Sequence, residues 1–185
     1  VMAKKYSVSA SHILIDIPMG KSTKANTLAK ANHLKHKFEL IGRKLGMTVK
    51  VIITDGSQPI GHGVGPVLEA KDVLAILKND PAAPPDLKKK SLMMAGLLLE
   101  LAGKSTKGKG LDDAKKILES GKALEKMNEI IEAQGKRVMP LLGRYGIAVK
   151  SGKIGRVKET DNEIIAKIAR IAGAPDDKGA GLFIL

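Results

Sequence analysis

Two aliphatic runs separated by one amphipathic stretch limit this chain more than any other feature. His12 to Ile17 is rich in Ile and ends at Pro18, and Met47 to Ile53 is a second run rich in Val and Ile. Short apolar runs bounded by turn residues read as buried strands. Between them Leu28, Ala31, Leu34, Phe38, Ile41 and Leu45 recur at helical spacing from Asn26 to Leu45, with Gly46 as a stop. A strand, helix, strand order predicts parallel pairing, a right-handed crossover and binding loops beyond the C-terminal strand ends. The expected class is α/β: part of a mixed or parallel sheet domain flanked by helices, followed by the start of a smaller α+β domain.

The glycine-rich segment Asp55 to Gly65 comes next, and Pro66 can open a helix at its first turn. Asn79 to Pro85 breaks the pattern, and a strongly apolar helix is expected from about Asp86 to Ala102. A flexible basic linker, Lys104 to Gly110, leads to two short helices joined at Gly121 and ending near Gln134. Beyond Gly135 the texture changes. Tyr145 to Val149 and Lys153 to Val157 alternate around Ser151-Gly152, which predicts a hairpin, and a helix from Asn162 to Ala172 precedes the apolar run Leu182 to Leu185. The boundary is placed at Gly135, giving domains of residues 1–135 and 136–185. Val1 is no initiator, and an unpaired final strand would invite aggregation, so a longer protein and a sheet partner outside the chain are expected.

Composition decides what the core and the partners can be. Hydrophobic residues make up 43% of the 185, enough for a packed core, but aromatics only 2%, so the core is aliphatic and base stacking has little support. Cysteine is absent, which excludes disulfides and thiolate metal sites and is compatible with a reducing cytosol. No apolar run approaches the roughly 20 residues of a membrane span, and no signal-peptide pattern is present, so a soluble, cytoplasmic protein is expected. A net charge of +13, from 32 Lys and Arg against 19 Asp and Glu, favours anionic partners. Nucleic acid, a nucleotide, inorganic phosphate and acidic neighbours all answer that field.

The local motifs each carry two readings. Gly61-His62-Gly63-Val64-Gly65 lies between strand and helix, but its G-x-G-x-G spacing is not a dinucleotide fingerprint; either it shapes a turn or it brings backbone groups to a ligand or ion. Lys21, Ser22, Thr23 and Lys24 follow the first strand, where hydroxyls, amides and lysines suit a phosphate, although a solvated basic loop has the same composition. His33 and His36 share a helical face without a third ligand, and His12 and His62 stand alone. The lysine runs at Lys88 to Lys90 and Lys104 to Lys109 are assigned to solvated surface.

Three stretches taken together resemble the thymidine phosphorylase family. They are Val1-Met2-Ala3-Lys4-Lys5 leading to Leu14-Ile15-Asp16-Ile17-Pro18-Met19-Gly20, then Thr54-Asp55-Gly56-Ser57-Gln58-Pro59-Ile60-Gly61 through Leu68-Glu69, then Gly173-Ala174-Pro175-Asp176-Asp177-Lys178-Gly179-Ala180-Gly181. The resemblance implies that Lys4 holds the base of a nucleoside, because it matches the lysine of the family's Ser-x-x-x-Lys-Lys helix. An ammonium donating to the base would stabilise the charge that develops as the glycosidic bond breaks.

Where nucleoside-specific members carry Lys-x-Gly-Ser-Gly-Ala-Phe, this chain has Pro18 to Lys24, a pattern similar to archaeal-type AMP phosphorylases. That likeness implies that Lys24, with Lys21 and Ser22, meets a 5'-phosphate, and that AMP and inorganic phosphate give adenine and ribose 1,5-bisphosphate. Thymidine or another pyrimidine nucleoside is the alternative substrate. A non-catalytic basic module binding RNA or DNA is the alternative of another class. Some family members hold potassium at positions that map to Ile60, Gly63 and Asp72, with Asp72 standing where they have Glu. The family's phosphate loop and proposed acid fall upstream, so no catalytic residue is expected in this span, and the intact enzyme is expected to be a dimer or larger.

Overall fold

A computed structural model describes residues 1–184 of the chain. The class is α/β, with helices flanking a small parallel sheet. It divides into two compact units, each made of two separate stretches: Val1–Ser57 with Lys89–Ile117, and Gln58–Lys88 with the residues from Leu118 onward.

The first unit is built on the strand, helix, strand order read from the sequence. β1 (His12–Met19) pairs in parallel with β2 (Thr48–Asp55), in a register running from His12 opposite Thr48 to Met19 opposite Asp55. Because side chains alternate along a strand, Ile13, Ile15, Ile17 and Met19 share one face and Leu14, Asp16 and Pro18 the other. The first face packs under the crossover helix α2 (Leu28–Lys44): Ile17 and Val51 meet Ala25 and Ala31, joined by Leu34, Phe38 and Ile53. Burying a side chain such as Val51 contributes about 2 kcal/mol. Thr27 caps α2, accepting the Lys30 amide at 3.2 Å. The short α1 (Met2–Tyr6) is held by Met2, which packs on Ile13 and Met47. From the other part of the unit come most of α4 (Pro85–Leu101) and of α5 (Gly110–Glu119). Glu100 of α4 accepts the Gly108 and Gly110 amides at 2.9 and 3.0 Å, which turns the basic linker into an ordered connection.

In the second unit β3 (Gly63–Val64) pairs antiparallel with β4 (Leu182–Phe183). Pro66 occupies the first turn of α3 (Pro66–Leu77), as its fixed φ favours. α6 (Lys122–Ala133) packs on α3, and α7 (Asn162–Ile171) packs on β3 and β4. Asp161 caps α7 through the Glu163 and Ile164 amides at 2.8 and 3.1 Å.

Two expectations are overturned. The final strand finds its partner inside the chain, since Leu182 and Phe183 pair with Val64 and Gly63 and the Ile184 amide donates to the His62 carbonyl at 2.8 Å; Leu185 lies outside the described residues. The hairpin expected around Ser151-Gly152 does not form. Ser151 does make a local turn with Lys153, but Ile147, Val149 and Ile154 are at least 92% exposed, and no strand lies beside them among the described residues. A two-stranded ribbon with no covered face has little to stabilise it.

Candidate functional site

The C-terminal ends of β1 and β2 open into two loops that are tied to each other. The Gly56 amide donates to the Met19 carbonyl at 2.8 Å, and the backbone at Gly20 lies so close to that of Gly56 that a Cβ there would meet its carbonyl oxygen at 2.6 Å. Only glycine allows this approach. Thr23 then closes the first loop on itself: its amide and hydroxyl donate to the Gly20 carbonyl at 3.0 and 2.9 Å, and its oxygen accepts the Gly20 amide at 3.1 Å. The loop returns through Ala25, which bridges to Met19 and is 1% exposed.

Lys21, Ser22 and Lys24 are thereby displayed to solvent on a fixed turn, and no carboxylate pairs with either lysine among the described residues. Two unneutralised ammonium groups and a hydroxyl on such a turn suit an anion. Beside it Ser57 donates to Asp55 through its hydroxyl and its amide, the latter at 2.8 Å, and these bonds hold the carboxyl below the usual 3.8. Lys4 is also exposed and unpaired, on α1. Met2 anchors that helix toward the start of β1, so Lys4 and the Lys21–Lys24 loop stand at different ends of the strand rather than in one cluster.

One residue of the lysine run does not fit the solvated surface assigned to it. Lys90 reaches from α4 to the sheet face opposite α2, where its Nζ meets Asp16 Oδ2 at 2.6 Å and donates to Thr54 Oγ1 at 3.0 Å. Thr54 in turn donates to Asp16 Oδ1 at 2.7 Å, which closes a ring of three. Nothing in Lys88-Lys89-Lys90 distinguishes the last lysine by itself. The polar positions Asp16 and Thr54 inside apolar strands were the available signal.

In the second unit the glycine-rich segment presents its amides to carboxylates of the same chain. Gly61 donates to Asp86 at 3.2 Å, His62 and Gly63 both donate to Asp72 Oδ2 at 2.8 Å, and Gly65 donates to Glu69 at 3.0 Å. These amides are therefore not available to a phosphate. Asp72 is buried, with 6% of its surface exposed. Ile60, Gly63 and Asp72 line one cavity of about 380 Å³ with Glu69, Leu87 and Ile165. Among the described residues Asp72 Oδ1 accepts no hydrogen bond and the carboxylate has no ion pair. A buried carboxylate without a counter-charge is costly, so a cation in this cavity would be stabilised by Asp72, with Ile60 and Gly63 lining the same space. No group of three His, Cys, Asp or Glu side chains that could hold a metal occurs among the described residues. His62 instead packs edge-on against Phe183, with ring centres 5.5 Å apart.

Comparison with known proteins decides the family. The chain is 44% identical over 186 residues to a protein of Methylococcus capsulatus named "Putative thymidine phosphorylase", an alignment covering 100% of this chain and 36% of that one. Proteins of the same name from Legionella pneumophila strain Corby and Bradyrhizobium diazoefficiens are 45% and 46% identical over 182 and 183 residues, covering 98% of this chain and 35% and 36% of theirs. The chain belongs to the thymidine phosphorylase family. It spans about a third of the length of these thymidine phosphorylase relatives. No family model matches it. No helix among the described residues is long and apolar enough to cross a membrane.

Proposed function

We propose that the protein containing this chain is a phosphorolytic pentosyltransferase acting on a pyrimidine nucleoside such as thymidine. The relatives' name, "Putative thymidine phosphorylase", at 44–46% identity over nearly the whole chain, is the observation that supports this choice. An oxygen of inorganic phosphate attacks C1' of the sugar, the C1'–N bond breaks, and the electron pair leaves with the base. Lys4 donates to that base and stabilises its charge, an interaction worth about 2 kcal/mol for a hydrogen bond to a charged group. In this assignment residues 1–135 complete the α/β phosphorylase domain and 136–185 begin the C-terminal domain, and the enzyme works in the cytoplasm as a dimer or larger assembly.

A second reading takes a nucleoside 5'-monophosphate, AMP above all, giving adenine and ribose 1,5-bisphosphate. The unpaired Lys21 and Lys24 on the turn fixed by Thr23 favour it, with Ser22 beside them, because a bare nucleoside leaves those charges unused; this reading does not place the base on Lys4, which stands at the other end of β1. Turnover of thymidine and of AMP by the full-length protein separates the two. Lys24→Ala provides the finer test: equal loss with both substrates removes Lys24 from any 5'-phosphate site.

Potassium enters as a structural ion. The carbonyls of Ile60 and Gly63 and the second oxygen of Asp72 would hold it, and its charge would fix the segment that opens α3.

A further inference from the structure

We propose that Lys90 is a positioning residue for the two substrate loops, a role that rests on reading Lys21–Lys24 as part of the substrate site. The ring of Lys90, Asp16 and Thr54 joins α4, β1 and β2 through three contacts of 2.6, 3.0 and 2.7 Å. Its members are largely shielded from water, with Lys90 and Asp16 side chains 24% and 16% exposed. The location distinguishes this ring from an ordinary surface pair. Thr54 lies opposite Pro18 in the register and directly precedes Asp55-Gly56-Ser57, and Gly56 is the residue bonded to Met19 and pressed against Gly20. Whatever fixes Thr54 and Asp16 therefore fixes the two strand ends from which both loops depart.

The ring has an electrostatic effect as well. Without Lys90 the Asp16 carboxylate would be unbalanced two residues, about 7 Å, before Pro18. Gly20, where the lysine loop begins, is four residues or about 13 Å away, beyond a bulk Debye length of roughly 8 Å, but a charge largely shielded from water is screened less than an exposed one. Lys90 cancels that charge while holding the geometry. It touches no reacting atom, so its loss acts on binding before chemistry.

The test uses the full-length enzyme with thymidine and AMP, read by KM and kcat separately. Lys90→Met is expected to raise the KM for AMP about tenfold and to change kcat by less than about threefold, and a wild type that does not turn over AMP removes the loop from the substrate site and this role with it. Asp16→Asn combined with Lys90→Met is expected to recover most of that loss, since neither charge is then stranded. Should Lys90→Met prove too unstable to assay, the comparison moves to the Asp16→Asn background. There, removal of Lys90 should leave KM within about threefold of Asp16→Asn alone. An unchanged KM with a lowered melting temperature would reduce Lys90 to a structural lysine. A double variant no better than Lys90→Met would break the link to Asp16. The wild-type substrate preference decides between thymidine and AMP independently of either result.

Discussion

Gly96 of α4 and Gly110 at the start of α5 meet backbone to backbone, close enough that a Cβ on Gly96 would lie 2.6 Å from the Leu111 amide nitrogen and 2.9 Å from the Gly110 carbonyl oxygen. In an isolated helix Gly96→Ala would stabilise by about 1 kcal/mol. Here the two helices must separate to admit one methyl group. The expected outcome is a net loss of about 2 kcal/mol, read as a lower urea midpoint with unchanged slope. A gain in stability would show that the crossing is looser than it stands.

Asp72 holds two amides that have no other acceptor. Asp72→Ala is expected to cost about 3 kcal/mol by leaving the His62 and Gly63 amides unpaired in a buried place. Asp72→Asn keeps an acceptor and should cost about 1 kcal/mol. If the site holds potassium, melting temperature in KCl should exceed that in NaCl for the wild type and match it for Asp72→Asn.

Asp113 gives the chain a defined acid response. The Ser105 hydroxyl donates to it at 2.6 Å and is the largest cause holding its carboxyl below the usual 3.8. A folded-state value below the unfolded one means that the proton binds the unfolded chain more readily. The contribution is therefore complete above about pH 4 and disappears as pH falls through the depressed value. Melting curves of Asp113→Asn and wild type should differ at pH 6, and the gap should narrow as pH falls below about 4. A gap that stays constant with pH would contradict this.

Thr23 ties the lysine loop through one side chain. Thr23→Val keeps the shape and removes both hydroxyl bonds to Gly20, at a stability cost of about 1 kcal/mol. Substrate KM is expected to rise severalfold, with faster hydrogen exchange at the Thr23 amide. Unchanged exchange would mean that the backbone bond to the Gly20 carbonyl holds the turn alone.

The helices and the parallel strand pair were legible because their periodicity comes from burial itself. α2 was expected from Asn26 to Leu45 and spans Leu28–Lys44; the second strand was expected to end at Ile53 and runs on to Asp55. Terminal residues answer to caps and loop bonds, which pattern alone does not weigh. Pairing over long separations was not legible: Gly63 and Val64 are too short a run to read as a strand until Leu182 and Phe183 lie beside them. The alternation from Tyr145 to Val157 misled for the reverse reason, since alternation states a preference and a strand also needs a neighbour. At the candidate site the exposed lysines were nameable from order along the chain. Lys90 and the amide contacts of Asp72 were not, because they depend on which helix face meets which strand.

Each unit is assembled from two distant stretches of sequence, and this has a consequence during synthesis. Asp16 and Thr54 leave the ribosome well before Lys90, and the first unit lacks its second part until Ile117 has been made. Once synthesis has reached Ser57, residues 1–57 thus carry a finished strand pair whose acidic side chain still waits for its cation. Expression of that piece alone should yield a far less soluble product than one reaching Ile117, because truncation by position cuts across both bodies.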